Sequence, residues 1–260
     1  MKRFIKLSVV FVLLVAITLS LVACGDKTVY YTDMTGNWEF TLDENGKATL
    51  TAYKGQSENV VIPASVNHAD GTAHDVLWLV DGLFVAYTDK GIYAENKLVK
   101  TVTFDANCLV EEIPFRTFYM CTALESVSFN KEMKSIKDFA FYGCSSLESI
   151  TITQQISSLG AYTFLRCTAL KDVYIYSDFI HGTKELNIPK IGDRCFFLID
   201  DAKKDDSQYY VSKDLKIHVK DVSAYSESII NEHKKETKSQ DYKYWNYYNS
   251  GDNNRLVPLA

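Results

Sequence analysis

His68, Asp70, His74 and Asp75 fall within the stretch His68-Ala-Asp70-Gly-Thr-Ala-His74-Asp75, the only concentration of potential metal ligands in the sequence. The six-residue spacing of the histidines matches no zinc pattern, and the residues between them suit a hairpin loop. The other side chains with chemistry to offer are thiols, at Cys24, Cys108, Cys121, Cys144, Cys167 and Cys195. A nucleophilic thiol needs a companion base, and no His or Asn stands in a fixed relation to any of these. There is no G-x-S-x-G, no H-E-x-x-H and no P-loop. Catalysis, a metal and a cofactor therefore have no positive support. With 28 Lys plus Arg against 33 Asp plus Glu, the formal charge is −5. No basic block stands out that would release the counterions of a nucleic acid, which argues against that class of partner, and none is expected.

Cys24 has a different chemistry. Lys2, Arg3 and Lys6 precede an uncharged apolar run from Leu7 to Val22, the anatomy of a secretory signal peptide. As a helix the run spans roughly 24 Å, short of the roughly 30 Å core of a bilayer. Leu21-Val22-Ala23-Cys24 resembles the bacterial lipobox. That resemblance implies cleavage before Cys24, acylation of its thiol, and a mature chain held on the extracytoplasmic side of a bacterial cell membrane. Two acyl chains make a stable anchor, at about 0.8 kcal/mol per buried methylene. Loss of residues 1–23 moves the formal charge from −5 to −8, so the body stands off anionic lipid on a short linker, residues 24–36.

The remaining thiols belong to a repeat. Cys121, Cys144 and Cys167 are 23 residues apart, as are Leu124, Leu147 and Leu170, and Phe118, Phe141 and Phe164. An aliphatic residue with a Phe five positions later carries the phase outward, as Leu79/Phe84, Ile113/Phe118, Ile136/Phe141, Leu159/Phe164 and Ile191/Phe196. Short apolar-x-apolar strands precede most units, at 102–104, 127–129, 150–152, 173–175 and 217–219. Such a period with Leu and one short strand per unit is the signature of a leucine-rich repeat solenoid, mostly β with short turns or 3-10 segments between parallel strands. One unit buries about six apolar side chains at roughly 1.5 to 3 kcal/mol each, against roughly 1 to 2 kcal/mol per residue for ordering its backbone. A single unit cannot fold alone; stacked units share their apolar faces.

The pattern L-x-x-[VI]-x-[IF]…[IL]-[GK]-x-x-[AT]-F-x-x-C-x-x-L resembles the BspA-type leucine-rich repeat of bacterial surface proteins. The opening hairpin around Asp43-Glu-Asn-Gly46, the strand Val60-Val-Ile62-Pro63 and the closing segment 215–225 are similar to that family's ends. The expected organisation is a signal peptide at 1–23, the linker at 24–36, an N-terminal β-hairpin cap at 37–75, the solenoid at 76–222, and a C-terminal helical cap with an aromatic tail at 223–260. The helix is expected to bring Val222, Tyr225, Ile229 and Ile230 onto one face. The stretch Tyr242–Tyr248 either folds back on the solenoid end or offers a sticky contact. Residues 177–190 and 200–206 read as solvated insertions.

In a parallel array, residues between the buried strand positions point onto the concave sheet. These are Thr101, Thr103, Asp105, Ser126, Ser128, Asn130, Ser149, Thr151, Thr153, Asp172, Tyr174, Tyr176, Lys216, His218 and Lys220. Thr103, Ser128, Thr151, Asp172, Tyr174, Tyr176 and His218 are the candidate binding residues, with the two tyrosines as anchors because aromatics dominate interfaces. The family resemblance implies adhesion to a protein, matrix or glycan partner. A cell-envelope scaffold with partners in its own cell is the rival reading, and a metal- or substrate-binding lipoprotein using the His68–Asp75 loop is a third.

Overall fold

The computed structural model describes residues 28–177, 188–203, 208–219, 222 and 256–258. The expected signal peptide, Cys24, residues 178–187 of the expected 177–190 insertion, the helical face of Tyr225, Ile229 and Ile230 and the aromatic stretch 242–248 lie outside them. Within them the chain is strand-rich and winds as a solenoid of parallel strands.

Two parallel sheets run along the array. The back sheet joins Glu112–Ile113, Ser135–Ile136, Ser158–Leu159 and Lys190–Ile191, with Ile113, Ile136, Leu159 and Ile191 superposed and buried. The front face carries Asn59–Ile62, Thr101–Phe104 and Ser126–Ser128 in one ladder, and Ser149–Ile152, Asp172–Ile175, Lys216–Val219 and Leu256–Pro258 in a second. Apolar residues alternate inward on every one of the longer front strands, as the period-2 pattern requires. No ladder joins Ser126–Ser128 to Ser149–Ile152, although the back sheet passes that point unbroken.

Asn130 explains the shortened strand before the break and corrects an expectation. It is not on the surface: it is buried, and its side-chain amide donates to Cys108 O at 2.8 Å and Val110 O at 2.9 Å, while its own Oδ1 has no partner. The loop 105–110 lengthens the preceding turn and turns these two carbonyls inward. A residue with two N–H donors is needed there, and pulling it inside ends the strand at Ser128.

A third wall closes each turn of chain. The N–H groups of Arg116, Phe118 and Met120 donate to Asp138, Ala140 and Tyr142; those of Phe139, Phe141 and Gly143 donate to Ala161, Thr163 and Leu165; and those of Tyr162, Phe164 and Arg166 donate to Asp193, Cys195 and Phe197. Aiming every second N–H at the next rung requires the peptide planes to alternate. The left-handed residues do this: Arg116, Phe139, Tyr162 and Arg194 form one column of positive φ (47° to 57°), and Met120, Gly143 and Arg166 form another (59° to 73°). Gly160 is required by close approach, since a Cβ there would fall 2.3 Å from Asp138 N.

Inside, Phe84, Phe118, Phe141, Phe164 and Phe196 stack face to face, with neighbouring centroids 5.1, 4.9, 5.1 and 5.2 Å apart and planes within 22°. Beside them Cys144 Sγ donates to Phe118 O at 3.2 Å and Cys167 Sγ to Phe141 O at 3.1 Å. Cys121 makes the same approach to Phe84 O at 3.8 Å. The repeating thiols are thus a column. Cys195 stands instead in a column of small buried residues with Thr117, Ala140 and Thr163.

At the N-terminal end the hairpin Trp38–Leu42/Ala48–Tyr53 belongs to a five-stranded sheet with Tyr31–Thr32, Ala73–Leu79 and Ser65–Asn67. Trp38 and Tyr53 meet Phe84, the first ring of the stack, at 6.2 and 5.8 Å. The sheet shields a ring that has no preceding rung.

Membership of the stack should therefore decide what each ring contributes. Phe141→Ala, with a ring stacked on both sides, is expected to cost about 3 to 5 kcal/mol, and Phe104→Ala, a buried ring outside the stack, measurably less. Denaturant unfolding of both variants checks this; equal losses would show that the rings act only as separate apolar fillers.

Candidate interaction surface

The outward side chains of the front strands form rows because the ladders are in register. One row runs Val61, Thr103 and Ser128. It resumes beyond the break as Thr151, Tyr174, His218 and Val257. The row beside it runs Asn59, Thr101 and Ser126, then Ser149, Asp172 and Lys216. Thr103, Ser128 and Thr151 are exposed, as expected of them. They present hydroxyls and little else. Val61 and Val257 extend the rows beyond the residues that the sequence singled out, since neither apolar residue signals a surface position.

The character of the face changes at its far end. Tyr174 and His218 lie ring on ring, with centroids 4.4 Å apart and planes at 15°. His218 Nε2 sits 2.7 Å from Asp172 Oδ1. A diagonal contact of this kind follows from register: Asp172 opposes Lys216 and Tyr174 opposes His218, so the imidazole reaches across to the carboxylate one pair away. Tyr176, just past the strand, is half exposed. Three of the candidate residues thus form one contiguous group fixed by stacking and a hydrogen bond, Tyr176 follows at the strand end, and Thr103 and Ser128 lie across the break in the sheet.

The His68–Asp75 segment is the turn of an antiparallel hairpin in which Val66 opposes His74. Its groups are engaged within the protein. His74 Nδ1 lies 2.9 Å from Gly46 O, His68 Nδ1 lies 3.3 Å from Asp70 Oδ1, and Asp75 pairs with Lys47 Nζ at 2.6 Å. The Thr72 N–H held by Asp70 keeps that exposed carboxyl below its ordinary value. Among the described residues, no group of three or more His, Cys, Asp or Glu is placed to hold a metal ion.

All five thiols of the described residues are free and buried. Burial pushes Cys108, Cys121, Cys144 and Cys195 above the ordinary thiol value of 9.0, Cys144 well above it. Desolvation disfavours the thiolate, which is the nucleophilic form.

A second surface was not anticipated. Tyr119 and Tyr142 stack at 4.7 Å with planes at 8°, and Tyr93 joins them at 5.1 Å from Tyr119. Phe139 stacks on Tyr162 at 4.9 Å. Arg116 lies among Tyr93, Phe115, Tyr119 and Phe139. The signal was in the sequence, since Tyr119 and Tyr142 directly follow Phe118 and Phe141 and so share the 23-residue period.

Comparison with known proteins agrees with the repeat. Residues 89–201 match the family model described as BspA type leucine rich repeat region, in six copies. Among solved structures the chain is similar to the leucine rich repeat protein of T. pallidum, with 18% identity over 72% of this chain and 71% of that one and a TM-score of 0.48. It is also similar to a leucine-rich repeat protein from Bacteroides capillosus, with 25% identity over 54% of this chain and 95% of that one and a TM-score of 0.44. A leucine rich cell surface protein from Faecalibacterium prausnitzii gives 21% identity over 75% of this chain and 65% of that one, with a TM-score of 0.41. No curated protein is significantly similar in sequence.

The buried thiols yield a pH dependence. A folded pKa above the unfolded value means that the native state keeps its thiol protons where the unfolded chain gives them up. This contribution to stability is complete below about pH 8.5 and is lost as pH rises beyond it. Denaturant unfolding at rising pH is expected to show stability declining above that point, and less steeply in a Cys121→Ala/Cys195→Ala variant. In the native protein at pH 8, a thiol reagent should modify none of Cys108, Cys121, Cys144 and Cys195 without prior unfolding.

Proposed function

We propose, on the premise that residues 89–201 are a BspA-type leucine-rich repeat region, that this chain is a non-catalytic, lipid-anchored cell-surface protein that binds a protein or glycan partner on its front sheet. The observation that carries the reading is the change along the front rows, from hydroxyl side chains at Thr103, Ser128 and Thr151 to the joined group of Asp172, Tyr174 and His218 with Tyr176 beside it. Ser and Thr on exposed strands are what β propensity and solubility would select. A carboxylate hydrogen-bonded to an imidazole that is stacked on a tyrosine is not.

The mechanism is pre-ordering. The strand ladder, the ring stack and the Asp172–His218 hydrogen bond hold the contact group before a partner arrives, so association spends little on immobilising side chains. Tyrosine combines apolar area with a hydroxyl and has few rotamers to lose. Acylation at Cys24, implied by the lipobox resemblance, would tether the array on the outer side of the membrane. A partner in the matrix or on a neighbouring cell makes this adhesion; a partner in the same envelope makes it a scaffold.

Binding is tested with a soluble Cys24→Ser chain lacking residues 1–23, immobilised and exposed to matrix and cell-surface proteins and glycans. The expected result is a captured partner whose affinity falls about tenfold or more in Tyr174→Ala/Tyr176→Ala and in His218→Ala, with cooperative unfolding retained. Undiminished capture by both variants would remove the front sheet from the reading. Crosslinking on intact cells separates host or matrix partners from envelope proteins of the same cell.

A further inference from the structure

The second aromatic surface contains a charge that nothing in the described residues neutralises. Three arginines occupy left-handed backbone positions on the third wall: Arg116, Arg166 and Arg194. Two have acids. Arg166 pairs with Asp201, and Arg194 Nη1 lies 2.6 Å from Asp193 Oδ2. Arg116 has none among the described residues. Its guanidinium carbon lies 4.6 to 5.6 Å from the ring centroids of Phe115, Tyr93, Tyr119 and Phe139, and Nη1 donates to the Tyr93 hydroxyl.

We propose that Arg116, in its nest of Tyr93, Phe115, Tyr119 and Phe139, is the carboxylate-binding centre of a second docking surface, and that its occupant is an acidic segment of a protein partner. Three features support this. The guanidinium is pre-positioned: rings on several sides restrict it, and a non-glycine residue is held at φ 56° to deliver it there. Among the described residues its charge is uncompensated where both sister arginines are paired, so complementarity calls for an added acid. Its rim is apolar and open, with Tyr87 59%, Ile92 62% and Tyr93 43% exposed. An apolar rim around a half-buried arginine is the composition of a protein interface core.

The same geometry argues against a sugar. Carbohydrate rings pack on open aromatic faces, and here the faces are used on one another: Tyr119 is covered by Tyr142 and by Tyr93, and Phe139 by Tyr162. The guanidinium, whose Nε has no hydrogen-bond partner among the described residues, keeps unused donors, which suit a carboxylate flanked by apolar side chains. This surface is distinct from the front-sheet group and does not depend on the reading proposed for it.

The test uses the described body with residues 1–23 removed and Cys24→Ser, and two fluorescent peptides: one alternating glutamate with leucine, the other with glutamine in place of every glutamate. The expected result is at least about tenfold tighter binding of the glutamate peptide, with the preference abolished in Arg116→Gln and kept in Tyr174→Ala. Arg116→Gly removes the same charge while adopting the left-handed backbone freely, so equal loss in both variants, at unchanged unfolding midpoint, assigns the effect to the guanidinium and not to misfolding. The inference is overturned if the two peptides bind alike, if either Arg116 variant keeps the preference, or if a sulfated heparin oligosaccharide binds more tightly than the glutamate peptide in an Arg116-dependent way.

Discussion

In-register pairing of backbone N–H and C=O groups between successive rungs is the constraint from which the rest of this structure follows. On the front strands to either side of the break, on the back strands and on the wall at residues 116–120, backbone donors of one rung meet carbonyls of a neighbouring rung. A rung satisfied in this way must lie nearly on top of its neighbour, at the spacing of paired strands, about 4.8 Å. Any side chain at a given position then stands at about that distance from its counterpart. An interior position accepts what packs against a side chain of like size on the next rung, a copy in the Phe column and a small residue in that of Thr117, Ala140, Thr163 and Cys195. Phenylalanine does so by offset stacking, and the thiol by donating to the carbonyl of the rung before. The sequence period is thus a consequence of the hydrogen bonding.

The same constraint separates interior from surface. Inside, substitution at one rung disturbs two neighbours, so the columns are uniform. Outside, a side chain meets its counterpart on one edge only and can vary. The front rows use that freedom, moving from hydroxyls to Asp172, Tyr174 and His218. The outer wall uses it differently, with tyrosine on tyrosine and arginine among rings. Stacking partners that would be exposed alone cover one another's faces, so a rung-to-rung contact both stabilises the array and decides which atoms remain for a partner.

This division sets what could be read from the chain before its structure was known. The columns of Leu, Phe and Cys were legible because uniform interior positions leave a uniform imprint every 23 residues. Thr103, Ser128 and Thr151 lie outward, where a period of two is enough to assign the face of a strand. Asn130 was not legible as buried, because its inward turn answers two carbonyls of the lengthened 105–110 loop, and a single local demand leaves no period. The contact of His218 with Asp172 spans 46 residues and depends on the size of an insertion, so no spacing rule could give it. The Arg116 nest was overlooked although Tyr119 and Tyr142 repeat in phase, because its members come from residues 93, 115, 116, 119 and 139 and belong to three different rungs.

The left-handed columns were the least legible feature, and they show what the array tolerates. Glycine is the usual residue at positive φ, yet Arg116, Phe139, Tyr162 and Arg194 occupy one column and only Gly143 in the other follows that habit. Each non-glycine residue there costs roughly 1 to 2 kcal/mol. Glycine would relieve that strain but would widen the conformational freedom of the unfolded chain and delete a ring or guanidinium. The interactions that these side chains make are of comparable size: aromatic pairs contribute about 0.5 to 1.5 kcal/mol, and cation–π pairs about 0.5 to 1 kcal/mol at exposed sites. Phe139 on Tyr162 and Arg194 over Tyr209 at 4.3 Å are interactions of this kind. Strain in the column is therefore offset by side chains that only a left-handed backbone delivers to that wall, and a glycine at these positions would simplify the backbone while stripping the surface it carries.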